Sequence, residues 1–79
     1  MAALALDSAV RRAPGVYAED VRLSRPGTWV FARLGDAPQT IADLAPRFAA
    51  AFGVPPAQAV EDVQLLLADL LRRGLAVPA

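Results

Sequence analysis

From residue 25 onward, apolar residues recur every three or four positions, the interval that places them on one side of a helix. The last run is the longest. Val60, Val63, Leu67, Leu70 and Leu71 keep this spacing between Pro55-Pro56 and Arg72-Arg73-Gly74, where last-turn cations and a glycine supply a stop, so a helix is predicted over 56–73. Before it, Ile41, Leu44, Phe48 and Phe52 step at three, four and four. Thr40 with Asp43 three residues on approximates a capping box, which gives a helix over 40–53 closed by Gly53. Pro46 falls inside it, removing one hydrogen bond and crowding the Ala42 carbonyl. In an unrelieved interior that costs about 3 kcal/mol, so a kink near 42–46 is expected. A first helix over about 25–35 follows from Ser24 as N-cap, Pro26 in the first turn, and Trp29, Val30 and Leu34 on one side, with Gly35-Asp36 ending it. The same stretch, TWVFARL (28–34), is rich in strand formers, and its composition leaves a strand open there.

Residues 1–24 have a different texture, mixing Val, Leu and Tyr with arginines and acids around Pro14-Gly15. Short strands joined by a turn are predicted within 3–24. As one strand, VYAEDVRL (16–23) would put Val16, Ala18 and Asp20 on one face and Tyr17, Glu19, Val21 and Leu23 on the other. After the last helix, Leu75, Ala76 and Val77 form a short apolar return that would pack back on the core. The expected fold class is therefore α+β, a short N-terminal antiparallel sheet of two or three strands followed by three α-helices. Helix, turn, helix and apolar return is the form of a winged helix-turn-helix.

At 79 residues the chain is long enough for one small domain, 1–79, and 56% hydrophobic residues against 20% charged argue for a packed core over a disordered tail. Eight arginines balance eight acids, so no net positive potential draws the molecule to nucleic acid or to an anionic membrane. The third helix carries Glu61, Asp62 and Asp69, and its arginines come only in the last turn, so most of its length would repel a phosphate backbone. With no Cys and no His, the chain lacks disulfides, thiolate nucleophiles, imidazole bases and the usual zinc ligands. No enzyme activity, metal or cofactor is expected. The apolar start before Asp7 is shorter than a signal-peptide core or a membrane span, which predicts a cytoplasmic protein without a membrane partner.

Several segments together resemble the PqqD-like domains, or RiPP precursor recognition elements. VRLS (21–24) is similar to the end of the family's third strand, and RLGDAPQT (33–40) resembles its Leu-Leu-Asp-Gly-Pro-Arg-Thr motif with one extra residue. Thr40, Leu44 and Ala45 match its T-x-x-x-L-A helix. Phe52-Gly53-Val54-Pro55-Pro56 matches its Tyr/Phe-Gly-Val-x-Pro turn, and DVQLLLADLLRRGL (62–75) its final helix and stop. The likeness covers roughly 21–77; the segment before Ser24 is shorter than the family's three-strand meander. The resemblance implies a non-catalytic module that captures the leader of a ribosomally made precursor peptide. The leader adds as an antiparallel strand to the edge of the third strand, here VRLS, in the groove beside the third helix. Implied partners are the precursor leader and a leader peptidase or other modifying enzyme. Among free-standing members of this size, the lasso-peptide type, in which a cyclase acts later, fits best. A PqqD chaperone of pyrroloquinoline quinone assembly is the alternative within the family, and a winged-helix DNA-binding domain the alternative outside it.

The residues assigned to peptide binding are Tyr17, Val21, Arg22, Leu23, Asp62, Leu65, Leu66, Asp69 and Arg73. A helix in a small domain needs an apolar arc of about 100°, yet Leu65, Leu66, Leu67, Leu70 and Leu71 wrap most of the circumference. One or two must face outward, and Leu65 and Leu71 stand where the family has small or polar residues. Exposed leucines make a contact surface for a leader, a partner protein or a second copy in a homodimer. Asp62, Leu66, Asp69 and Arg73 share one stripe, whose acids would meet Lys or Arg of a leader. A solvated face is the ordinary role of such acids, and core packing that of Leu66, Trp29 and the phenylalanines. Tyr17 either lines a groove or caps the sheet. Arg11-Arg12 reads as a solvated strand edge.

Overall fold

In the computed structural model, which describes residues 4–35 and 37–79, the elements in chain order are strand β1 (Val10–Arg12), a 3-10 turn (Ala18–Asp20), helix α1 (Arg25–Arg33), helix α2 (Ile41–Phe52), helix α3 (Pro56–Arg72) and strand β2 (Ala76–Pro78). The fold is α+β, with a two-stranded antiparallel sheet and three helices. Residues 1–3, where the expected strand region begins, and Asp36 of the Gly35-Asp36 stop lie outside the described residues.

The helix ends follow local chemistry. Ser24 Oγ accepts the Gly27 N–H at 3.2 Å at the start of α1, so TWVFARL is helical. Thr40 and Asp43 complete a reciprocal capping box, the Asp43 N–H donating to Thr40 Oγ1 at 3.0 Å and the Thr40 N–H to Asp43 Oδ2 at 3.1 Å. Helix α2 runs unbroken through Pro46. The Ala42 carbonyl that loses its partner there lies on the exposed side, where water can take the place of the missing N–H. Helix α3 ends in a Schellman turn, with Gly74 at φ 73°, the Leu75 N–H donating to the Leu70 carbonyl at 2.9 Å and the Gly74 N–H to the Leu71 carbonyl at 3.1 Å. That turn reverses the chain and lays β2 back over the core, with Ala76 2% exposed.

The sheet has two antiparallel strands, as expected, but only one of them is N-terminal. β1 pairs with β2 (Val10↔Pro78, Arg11↔Val77, Arg12↔Ala76), so the second strand comes from the C-terminal return. The other side of β1 is also engaged. Val10 exchanges two 2.8 Å hydrogen bonds with Gln39, and the Arg12 N–H donates to the Leu34 carbonyl at 3.3 Å. VYAEDVRL is not a strand. The Asp20 N–H donates to the Tyr17 carbonyl and the Val21 N–H to the Ala18 carbonyl, a 3-10 turn through acids that are poor strand formers and fully at the surface. After it, Val21 (φ −125°, ψ 135°) and Ser24 (φ −62°, ψ 166°) are extended, and residues 21–24 lie outside the sheet and the helices.

The core fills the space between the three helices, with Phe31, Leu34, Ile41, Leu44 and Leu67 among its largest fully buried side chains. Trp29 stands edge-on to Phe48 and Phe52 at 5.6 and 6.0 Å between ring centroids, which extends the core to the surface. The Arg11-Arg12 pair is only half a solvated edge. Arg11 is exposed, but the Arg12 guanidinium lies 4.2 Å over the Phe31 ring and donates from Nη2 to the Phe31 carbonyl at 2.9 Å, clamping β1 to the end of α1. Among the described residues no helix is long and apolar enough to cross a membrane.

Candidate functional site

Three sides of α3 have different environments. Ala59, Val63, Leu67 and Leu70 face the core, and Asp62, Leu66 and Asp69 form a half-buried flank that Arg73 continues beyond the last turn. Leu65 points outward and is 69% exposed. Leu71 is half-buried against the core, so of the two leucines expected outside, Leu65 is the one that stands there.

The half-buried flank looks onto residues 21–24. Arg73 Nη2 donates to the Arg22 carbonyl at 3.2 Å. Farther back along α3, Leu66 meets the first turn of α1 at Gly27. A Cβ there would lie 3.9 Å from Leu66 Cδ2, 3.5 Å from Leu23 Cβ and 3.1 Å from Ser24 Oγ. Both leucines thus lie over the start of α1 at ordinary contact distance from this position, and only the capping Ser24 Oγ would be crowded by a side chain at Gly27. Its signal in the sequence is a glycine three residues after an N-cap serine, which helix propensity alone would count as a defect.

The structure thus brings Arg22, Leu23, Leu66, Asp69 and Arg73 together, with Val21 half-buried beside them against the core. Asp62 begins the same flank. Tyr17 stands 59% exposed ahead of the 3-10 turn, and Leu65 lies round the helix from Leu66, on the solvent side. Asp69 is already bonded to Arg72 and, at 3.4 Å, to Arg73, so its charge is committed within α3. These side chains are 36% or more exposed, and such pairs contribute little to stability. Among the described residues Asp62 has no ion-pair partner. A separate shallow pocket of about 110 Å³ is lined by Arg11, Arg12, Leu34, Gly35, Ala37 and Pro38 and shares no residue with this site.

An extended backbone stretch outside the sheet, an apolar floor and charged ends suit the binding of an extended peptide. A family model described as coenzyme PQQ synthesis protein D (PqqD) matches residues 15–76. The chain belongs to the PqqD family. The match takes in the 3-10 turn, the extended segment and all three helices, and it ends at the first residue of β2, leaving β1 ahead of it. PqqD-family domains are RiPP recognition elements, non-catalytic proteins with a peptide-binding role in RiPP-type biosynthesis that bind a precursor peptide and the enzymes that modify it. No curated protein and no solved structure matches the chain.

Proposed function

We propose that this PqqD-family domain captures the leader of a precursor peptide in the cytoplasm by strand addition along residues 21–24, beside α3, and delivers it to a leader peptidase and then a cyclase in lasso-peptide biosynthesis. The observation that carries this reading is the extended stretch 21–24, which lies outside the sheet and has its Arg22 carbonyl turned to α3. The alternative edges are poor. β1 is paired on both sides, by β2 and by Gln39 and Leu34. On β2, the Ala79 N–H donates to the Ala9 carbonyl and the Ala13 N–H to the Leu75 carbonyl. That pattern turns the groups of Ala76 and Pro78 outward, and proline has no N–H to offer.

In the proposed complex Val21, Arg22 and Leu23 form one wall and Asp62, Leu66, Asp69 and Arg73 the other, with the exposed Tyr17 and Leu65 at the outer rim. A leader strand laid between them exchanges backbone hydrogen bonds with residue 22 and seats an apolar side chain on Leu23 and Leu66. A PqqD chaperone of pyrroloquinoline quinone assembly, working with a precursor peptide and a radical enzyme, is the second reading, and the description of the matching family model favours it.

The test is titration by fluorescence anisotropy of synthetic leaders, one from a lasso-type precursor, taken from any short precursor gene adjacent to this one, and one from a quinone-cofactor precursor. The expected result is a submicromolar to micromolar Kd for the lasso leader that changes little with salt. Tighter binding of the second leader selects the chaperone role. Failure of both, with binding to duplex DNA that falls steeply with salt, contradicts the proposal.

A further inference from the structure

The flank of α3 that faces residues 21–24 has unlike ends. Asp62, at its start, is half-buried and without an ion-pair partner among the described residues. At its far end Arg72 and Arg73 share the single carboxylate of Asp69, and Arg22 adds a third cation on the facing segment. Glu19 and Asp20, on the turn just before, form no ion pair with these arginines. Among the groups in ion-pair contact, the unmatched charge is negative at Asp62 and positive near Arg73, with Leu66 between them. From 62 to 73 a helix rises about 16 Å, and at about 3.3 Å per residue positions i and i+4 of an extended peptide stand about 13 Å apart, the remainder being within the reach of long charged side chains.

The direction of an added strand follows from the same contacts. Arg22 lies beside Arg73 at the end of α3, while Leu23 and Gly27 lie beside Leu66, closer to its start. Residues 21–24 therefore run against α3, and a strand antiparallel to them runs with it, its N-terminal end at Asp62 and its C-terminal end at Arg73. Side chains on one face of a strand recur every second residue. We propose that the peptide selected by this groove carries a basic residue, an apolar residue two positions later and an acidic residue two positions after that, in this order from N to C. The inference rests on strand addition along 21–24. It also assigns Asp69 a different part from the one its sequence position suggests: Asp69 orients Arg73, and only Asp62 meets a peptide cation.

Arg73 has two states in this scheme. In the free domain its Nη2 occupies the Arg22 carbonyl. An arriving strand supplies a backbone N–H to that carbonyl, and the released guanidinium turns to the peptide carboxylate, a bidentate pairing that suits arginine.

The test uses two nine-residue probes, acetyl-Thr-Val-Lys-Thr-Leu-Thr-Glu-Val-Thr-amide and its counterpart with Lys and Glu exchanged, titrated against the full chain and against the double variant Asp62→Lys/Arg73→Glu. The expected result is about tenfold tighter binding of the Lys-first peptide to the wild-type chain, the scale of two exposed ion pairs turned from attraction to repulsion, with the order reversed in the double variant. Equal affinity for both probes overturns the charge order while leaving strand addition intact. Binding of a natural leader but of neither probe also overturns the pattern, and binding of no peptide at all overturns strand addition with it.

Discussion

Leu67→Ala is expected to lower the melting temperature by roughly 12–24 °C. Leu67 is fully buried at the middle of α3, on the side that packs against the other helices. Leucine-to-alanine changes at such sites cost about 3 kcal/mol, because the cavity adds to the lost transfer energy. In a domain this small each kcal/mol moves the midpoint by roughly 4–8 °C. Leu65, two residues earlier and 69% exposed, gives the contrast. Leu65→Ala should stay within about 0.5 kcal/mol of the wild type, since surface truncations away from caps and networks rarely do more. Thermal melts followed by circular dichroism check both. A drop below roughly 5 °C for Leu67→Ala, or similar drops for the two variants, would contradict the orientation of α3.

Arg22→Pro is expected to weaken leader binding by tenfold or more and to leave the melting temperature unchanged. In extended chain the N–H and C=O of one residue point to the same side. The Arg22 carbonyl faces α3 through Arg73, and with Val21 and Ser24 extended on either side the strand-addition proposal requires the Arg22 N–H to face the groove as well. Proline removes that donor and with it one hydrogen bond to the added strand, leaving a peptide carbonyl without its partner. The fold should tolerate the change. Arg22 is exposed, and Val21 already has the extended conformation that a following proline prefers. A proline at Leu23 is a poorer probe, because it also removes a half-buried side chain that packs on the core and spares the groove-facing N–H. Wild-type affinity in Arg22→Pro, measured by anisotropy, would place the peptide elsewhere.

The helices were legible because the signals that start, face and stop them are local. Thr40 and Asp43 sit three residues apart, Gly53 and Gly74 take positive φ where they end α2 and α3, and the Val63, Leu67 and Leu70 spacing marks the buried face of α3. The strands were less legible because their pairing is long-range: Val10 finds Pro78 at the opposite end of the chain and Gln39 in the middle. Alternation over 16–23 suggested a strand, but no neighbour is placed to pair with it, and Ala18–Asp20 turns tightly into a 3-10 segment. Of the proposed site, the α3 stripe was visible from spacing alone. The closeness of Leu23 to Leu66 was not, since it depends on how the first turn of α1 docks on α3. Nor was the capture of Asp69 by Arg72 and Arg73, which leaves Asp62 as the acid of the stripe with no ion-pair partner among the described residues. Arg12 shows the same limit, because its role as a clamp depends on a carbonyl that α1 brings to it from Phe31.

Strand addition along residues 21–24 is tested most directly by isotope-filtered NMR of the labelled domain bound to an unlabelled leader. The expected result is a set of cross-strand contacts between leader backbone protons and those of Val21, Arg22 and Leu23, with the Arg22 amide newly protected from exchange and contacts from a leader side chain to the Leu66 methyls. Contacts confined to Ala76–Pro78, or to the exposed face of α3 around Leu65 and Ala68, with the Arg22 amide still exchanging freely, would contradict it.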